Sequence, residues 1–348
     1  MPETVELSEW MRKNGPESDV VLASRIRLAR NVRGLPFPHH MSDAQGHELT
    51  DRIDAWARDQ GSAWHLERRP LGQLNGLERQ LLVEKHLASP LLVSDPIRFE
   101  SVLTDDRETL SIMVSEEDHV RLQVLLPGLQ LTEAWKVADQ LDDSMEGSID
   151  WAFDAHLGYI TACPTNLGTA MRASFMVHLP ALVMTRQAGQ LFTALAQMGV
   201  VVRGLYGEGS ETEGAIFQIS NQVSLGRPEE EVVHGLTSVA EQVVGRERLA
   251  REQLEKSAGI AVADRVGRAF GLLAHCHVLS SEEAIRLLSD VQLGIELGRL
   301  APFVDATFAQ LISLTRPAML QQAAGQSLDP GARDLMRAQL IQSHLKRN

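Results

Sequence analysis

No run of this chain is apolar over the length of a membrane span, and the first residues, Met1-Pro-Glu-Thr-Val-Glu-Leu-Ser-Glu-Trp10, carry neither the basic start nor the apolar core of a secretory leader. A cytoplasmic protein is expected. Aromatic residues make up only 5% of the 348, too few for the stacking platforms that single-stranded nucleic acid needs. Positive charge is also short, with 33 Lys and Arg facing 46 Asp and Glu for a formal net charge of −13. That balance argues against nucleic acid or an anionic membrane as the main partner, and suits a basic protein or a cationic side chain. Cysteine occurs twice, as Cys163 and Cys276, far apart and outside any CxxC pattern, which excludes a disulfide framework or a structural zinc site. In a reducing compartment one of the two thiols is free to be functional. Neither GxxxxGK[ST] nor a kinase-type GxGxxG with a downstream HRD occurs, so the two commonest phosphate cradles are missing.

What is present is a soluble composition, 44% apolar with a mean hydropathy of −0.11, at a length that allows roughly two domains. A short helix is expected near residues 8–13, then an apolar run over 20–31 into which arginines are set. If that run is extended, Arg25 and Arg27 share a face. Helices are predicted over 42–59, opened by Ser42 or Asp43, and over 76–86. Residues 109–114 and 120–126 read as paired strands, 131–141 as a helix, 159–162 as a strand, 187–198 as a helix, and 200–205 and 215–222 as strands. At Pro228 the composition changes to glutamates followed by helix-spaced apolar residues, which predicts a long helix towards Gly259 and a domain boundary near 230. Helices follow to the end, one opened by the capping box Ser280-Ser-Glu-Glu283.

The chemistry concentrates in Cys163-Pro-Thr-Asn-Leu-Gly-Thr-Ala-Met-Arg172, a tight turn that sets a thiol beside a cation at the mouth of an apolar run. Arg25, Arg27, Arg121, Arg172 and Arg203 all lie at predicted strands or turns, and guanidinium forks match phosphate geometry. Each alone equally suits a solvated edge. The acidic turn Ser115-Glu-Glu-Asp-His119 is either a solvated hairpin tip or a set of carboxylates beside Arg121, and the glycine-rich stretch 206–214 is a closing loop or a flexible connection. Arg333 and Arg337, in Arg333-Asp-Leu-Met-Arg-Ala338, would share one side of a helix.

Ser24-Arg-Ile-Arg27, Ser115-Glu-Glu-Asp-His-Val-Arg121, His156-Leu-Gly-Tyr-Ile-Thr-Ala-Cys-Pro-Thr-Asn-Leu-Gly-Thr169, Arg172 and Gly207-Glu-Gly-Ser-Glu211 stand in the order of the phosphagen (guanidino) kinases, over about residues 20–225. Through Arg203-Gly-Leu-Tyr-Gly-Glu-Gly-Ser-Glu211 and its helical end, the chain more closely resembles the bacterial protein-arginine kinases. The resemblance implies an α+β fold, an antiparallel sheet flanked by helices over 1–230, followed by an all-helical domain over 231–348 for dimerisation and phosphoarginine recognition. It implies that ATP is held by Ser24, Arg25, Ile26 and Arg27, by His86 beside the adenine, by Arg121, by Arg172, Ala173, Ser174, Phe175 and Met176, and by Arg203, Gly204, Leu205, Tyr206, Gly207 and Glu208. Glu117 and Glu211 would clasp the substrate guanidinium with Cys163 against it, and Mg²⁺ would be held mainly by ATP rather than by a protein ligand set. Arg333, Asp334, Arg337 and Ala338 would form an allosteric phosphoarginine site.

The chain also departs from the family. Small-molecule members carry a helical domain ahead of the Ser-Arg-x-Arg segment that grips the rest of the substrate, and only about twenty residues precede it here, which favours a protein substrate. Tyr206 stands where those members have a phosphate-binding arginine, so Arg203 or another group must compensate, and Ala170 replaces a frequent glycine or threonine. The expected activity is transfer of the ATP γ-phosphate to arginine side chains of proteins, marking them for Clp-type proteolysis in a stress response. A Clp-type unfoldase, an activator protein and a second copy in a homodimer would be partners. The alternatives are a small-molecule guanidino kinase and a non-catalytic phosphoarginine-binding adaptor.

Overall fold

The arginine-bearing run after residue 20 is extended. It forms β1 (Val21–Arg30), a central strand of an eight-stranded sheet in the computed structural model, which describes residues 6–94, 98–204 and 213–345. The other strands are β2 (Glu67–Pro70), β3 (Ser101–Thr104), β4 (Leu110–Val114), β5 (Val120–Pro127), a separate small hairpin of β6 (Phe153–Asp154) and β7 (Gly158–Tyr159), then β8 (Met171–His178), β9 (Val200–Gly204) and β10 (Ile216–Asn221). The sheet runs β2-β3-β4-β5-β1-β8-β10-β9 with every neighbouring pair antiparallel.

Helices α1 (Glu9–Arg12), α2 (Asp43–Arg58), α3 (Gly76–Glu84), α4 (Leu131–Glu146), α5 (Pro180–Met184) and α6 (Ala188–Gln197) are interleaved with the strands. The helices α7 (Glu229–His275), α8 (Ser281–Glu296), α9 (Phe308–Leu314), α10 (Pro317–Ala324) and α11 (Pro330–Ser343) complete the chain. Ser42 opens α2 through a reciprocal capping box with Gln45, and Asn75 does the same for α3 with Glu78. Among the described residues no helix is long and apolar enough to cross a membrane.

Strand periodicity divides β1 between two environments. Ile26 and Leu28 are fully buried against the layer built from α2, α4 and the first half of α7, where Leu49, Ile53, Leu141, Val233 and Val243 complete the core. Arg30 falls on this apolar side and is 1% exposed. It survives there because Asp142 of α4 takes its Nε at 2.9 Å and its Nη2 at 2.5 Å, while Nη1 donates to the carbonyls of Ala29 and Thr169 and the guanidinium lies 3.4 Å from the Tyr159 ring centroid. Arg25 and Arg27 project from the other side.

The sequence reading and the structure part at residues 159–162. The strand predicted there is confined to Gly158–Tyr159, because side chains capture the next backbone groups: Asn31 Nδ2 donates to the Ile160 carbonyl at 2.9 Å, and Ala162 N–H donates to Asp118 at 2.7 Å. The helix predicted to run towards Gly259 is found as the first half of α7, whose backbone kinks at Ala258 (φ −142°, ψ 24°) before helical geometry resumes to His275. Its first half packs on the sheet core, and Glu247, fully buried, accepts from the N–H groups of Ala181 and Leu182 that open α5.

Removing one partner of the Arg30–Asp142 pair leaves the other buried and uncompensated. Arg30→Ala is expected to lower stability by about 3–5 kcal/mol in urea unfolding, whereas an apolar replacement of both, Arg30→Met with Asp142→Leu, recovers much of that loss.

Candidate active site

Antiparallel register brings together side chains that the sequence keeps far apart, because directly opposed residues share a face. Arg27 stands opposite Gln123 of β5 and Arg172 of β8, Arg25 is opposite Ser174, and Ala29 is opposite Arg121. On the far strands Met176 is opposite Gln218, which is opposite Arg203. One side of the sheet thus carries Arg25, Arg27, Arg121, Arg172 and Arg203, from four strands. They line two cavities of about 280 Å³ each that share Arg27 and Arg121. The first also holds Gln80, Glu84, His86, Ala88, Gln123 and Arg316; the second holds Glu117, Cys163, Asn166 and Ala170. We treat the pair as one groove.

Its electrostatics are those of a cation cluster short of counter-charge. Desolvation, then Arg121 and Arg172, pushes Arg25 down from its ordinary value to about 10. Arg27 is lowered further, by burial and then by Arg25, Arg121 and Arg172, and among the described residues its buried Nε has no hydrogen-bond partner. Arg172 is lowered by burial, then by Arg203 and Arg121. His86 falls from its ordinary 6.5 to about 3, through burial first and then Arg25, Arg316 and Arg27, so it is neutral at physiological pH. Mutual depression of this kind means each positive charge raises the free energy of the others, and an anion in their midst relieves it. Arg25 is already oriented, with Nη2 donating to Gln218 at 2.9 Å and Nε to Ser174 at 3.4 Å.

Among the described residues, Glu84 lines the cavity at the His86 end, and the carboxylates paired with a sheet arginine gather at Arg121. Arg121 Nη1 lies 2.5 Å from Glu116 Oε2 and its Nη2 lies 3.4 Å from Glu117. Glu116 is buried and also accepts from Ser89, while the Glu117 side chain is 38% exposed at the groove edge. The 115–119 turn is therefore no solvated tip. It is fastened by Asp118 and His119: Asp118 accepts from Asn31 and from Ala162 N–H, His119 Nδ1 accepts from Val32 N–H at 2.9 Å, and its Nε2 meets the Pro36 carbonyl at 2.7 Å. Asp118 thus joins the strand turn bearing Glu117 to the turn bearing Cys163.

The cysteine turn is a closed loop. Gly168 N–H donates to the Leu157 carbonyl and Tyr159 N–H to the Gly168 carbonyl, both at 2.8 Å. A Cβ at Gly158 would meet the Gly168 backbone at 2.3 Å, which only glycine allows. Within the loop Cys163 Sγ lies 3.0 Å from Thr165 Oγ1.

Relatives of three kinds bear on this site. The family described as "ATP:guanido phosphotransferase, C-terminal catalytic domain" matches residues 50–250, and "Protein-arginine kinase McsB C-terminal domain" matches residues 259–348. Proteins named protein-arginine kinase from Symbiobacterium thermophilum and Moorella thermoacetica are 50% and 48% identical over 342 and 341 residues, covering 97% of this chain and 96% and 97% of their own lengths. The chain belongs to the protein-arginine kinase family. Solved structures share its fold at lower identity: lombricine kinase at 22% (TM-score 0.60, 70% of this chain, 72% of that one) and the substrate-free duplicated taurocyamine kinase of Schistosoma mansoni at 21% (TM-score 0.61, 82% and 42%).

Placed on the fold, the residues singled out in the sequence of this protein-arginine kinase relative divide into three groups. Arg25, Arg27, His86, Arg121, Arg172, Arg203, Glu117 and Cys163 line the groove, with Ser174 bonded to Arg25 and Met176 on the same face. Ser24, Ile26, Ala173 and Phe175 alternate onto the core side, where Ser24 fastens Gly128 and Gln130 and the other three are fully buried. Gly204 ends β9. Leu205, Tyr206, Gly207, Glu208 and Glu211 lie outside the described residues. Ala170 adopts φ 49°, a left-handed conformation that favours glycine.

Arg333, Asp334, Arg337 and Ala338 sit on α11. Arg337 is 2% exposed and donates to the carbonyls of Thr315 and Leu279 and to Asp334, while Arg333 donates to the Leu328 carbonyl. Sequence reasoning missed Gln218 and Arg316, which nothing local marks, and weighed Glu116 and Asp118 only as members of the acidic turn, without the separate parts they play here.

His86 supplies a pH test. The unfolded chain takes up its proton below about 6.5 and the folded chain only near 3, so stability falls as pH drops through that window. His86→Asn, which tolerates the φ of 61° at this position, removes the titration. Urea midpoints of the two proteins should therefore converge from pH 7 to pH 5, the gap closing by about 1 kcal/mol per pH unit below 6.5.

Proposed function

We infer that this chain transfers the γ-phosphate of ATP to arginine side chains of proteins. The observation that carries this is the meeting of two opposed charge environments within one groove: crowded guanidiniums along its length, and Glu117 with Cys163 at one end. The full-length similarity to protein-arginine kinases supports the protein substrate. A further cavity of about 390 Å³ on the outer side of Glu117, lined by His39, Leu91 and Glu100 among others, leaves room for a bulky acceptor.

In this reading the triphosphate lies across Arg25, Arg27, Arg121, Arg172 and Arg203, with neutral His86 at the adenosine end. Glu117 and Glu211 hold the incoming guanidinium. A guanidinium, with pKa above about 12, is a poor nucleophile until a proton is removed. Fork contact with carboxylates fixes one nitrogen in line with the γ-phosphorus. The N–P bond forms as the bond from phosphorus to the β-phosphate oxygen breaks, ADP departs, and a carboxylate accepts the guanidinium proton. The arginines stabilise charge on the transferring group, already oriented by the sheet. Cys163 acts by tuning the acceptor guanidinium rather than as a covalent nucleophile.

Mg²⁺, held mainly by ATP in this reading, would supply further charge neutralisation at the phosphates.

We infer further that the protein is a cytoplasmic homodimer that works with an activator protein, delivers its products to a Clp-type unfoldase, and recognises phosphoarginine through Arg333, Asp334 and Arg337. Arg337 already holds three groups of its own chain, so Arg337→Ala probes scaffold and site together, and Arg333→Ala is the cleaner probe of phosphoarginine binding.

The activity test is incubation with MgATP and either casein or free arginine, reading acid-labile N-phosphorylation. Label on casein is expected, reduced by at least about 10²-fold in Glu117→Gln. Label on free arginine alone would replace the protein-kinase reading with a small-molecule kinase, and no label on either would leave a binding protein.

A further inference from the structure

The groove that holds the sheet arginines takes one lining residue from the helical C-terminal region. Arg316, half-buried between α9 and α10, shares the cavity of about 280 Å³ with Arg25, Arg27, His86 and Gln123. No local pattern in the sequence connects it to them.

Its position is fixed from both sides. Immediately before it, the carbonyl of Thr315 accepts from Arg337 Nε at 2.9 Å, and Thr315 is 1% exposed. Immediately after it, α10 begins with N–H groups that point at Glu84, the last residue of α3. Ala318 N–H lies 3.0 Å from both Glu84 oxygens, and Met319 N–H lies 3.0 Å from Oε2. Glu84 is 8% exposed and lines the same cavity. A buried carboxylate receiving helix N–H groups is a strong fastening, because breaking it strands a charge. Arg316 is thus held over the His86 end of the groove, close enough to share with Arg25 and Arg27 in keeping His86 neutral.

A guanidinium at that place has clear chemistry. It is planar and permanently charged, stacks on aromatic faces, and donates in a fixed fork to ring nitrogens or hydroxyl oxygens. The triphosphate end of the groove is already supplied with cations from four strands, whereas Arg316 shares its cavity with Val83, His86, Ala88, Met113 and Gln123, and with Glu84, whose carboxylate is engaged by the start of α10. A purine nucleoside there meets the Arg316 guanidinium beside uncharged side chains.

We propose that Arg316 is a nucleotide-contacting residue contributed by the C-terminal region, acting on the adenosine moiety, so that the nucleotide site is complete only with α10 seated on α3. This rests on the ATP reading of the groove given above.

The test is isothermal titration of MgATP and MgADP into the full chain, for the unsubstituted protein, Arg316→Ala, Arg316→Gln and Arg27→Ala, with thermal melts to verify folding. Arg316→Gln keeps the aliphatic start of the side chain and a polar end without the charge, and guards against a folding defect. Both Arg316 variants should bind ATP and ADP about tenfold more weakly, by the same factor for the two nucleotides. The KM for ATP should rise in parallel while the KM for casein stays put. Unchanged affinity in a folded Arg316 variant would overturn the proposal, as would a loss larger for ATP than for ADP, which would move Arg316 to the phosphates. Failure of the unsubstituted protein to bind ATP, or an Arg27→Ala variant that binds normally, would instead remove the ATP reading itself.

Discussion

Like-charge crowding on one face of a sheet is the constraint from which the rest of this molecule follows. Arg25, Arg27, Arg121, Arg172 and Arg203 come from β1, β5, β8 and β9 and are held in register by backbone hydrogen bonds that cannot relax to spread the charges. Burial first, and then their mutual repulsion, hold the pKa values of Arg25, Arg27 and Arg172 down, a standing cost of the fold. The protein carries a formal net charge of −13, so the cluster is a local concentration of positive charge within an acidic chain. A site arranged in this way is preorganised for a polyanion: the donors already point where charge will arrive and need not reorient.

Buried carboxylates keep that arrangement rigid. Asp142 holds Arg30 beneath β1, Asp118 joins the turn carrying Glu117 to the loop carrying Cys163, Glu247 opens α5, and Glu84 opens α10. Each accepts from backbone N–H groups or a side-chain donor of an element distant in sequence. Their role is positional: an acid that is buried and hydrogen-bonded fixes the relative placement of two segments more sharply than apolar packing, which tolerates sliding. The groove is consequently walled by elements from the whole length of the chain, from β1 to the start of α10.

Within residues 20–31 the three arginines look alike in sequence, yet strand alternation gives them different fates. Arg25 and Arg27 face the groove, and Arg30 faces the helices and becomes a buried partner of Asp142. The same alternation places Ile26, Ala173 and Phe175 in the core although their neighbours line the groove. Strands and helices with strong periodicity were legible, including the β4–β5 hairpin and the caps at Ser42 and Ser280. The 159–162 segment was not, because Asn31 and Asp118 take its backbone groups and both lie far away in sequence. Composition changes at Pro228, where the chain leaves the last strand, yet α7 continues on the sheet core, and its backbone departs from helical geometry at Ala258, between the two matched families.

By itself the sequence determined the residue types and local turns that this chemistry requires. It supplied arginines on alternating positions, paired acids in a tight turn, a cysteine loop closed by glycines that no other residue could replace, and helices whose apolar faces demand a core. These are properties of a few neighbouring residues, set by dihedral preference and side-chain period. Which arginines meet, which one is buried, how Asp118 couples Glu117 to Cys163, and that Arg316 reaches His86 were decided by tertiary structure. The reason is physical: those relations depend on inter-strand register and on the seating of one helix end upon another, long-range pairings whose energy is shared across many residues and written in none of them singly.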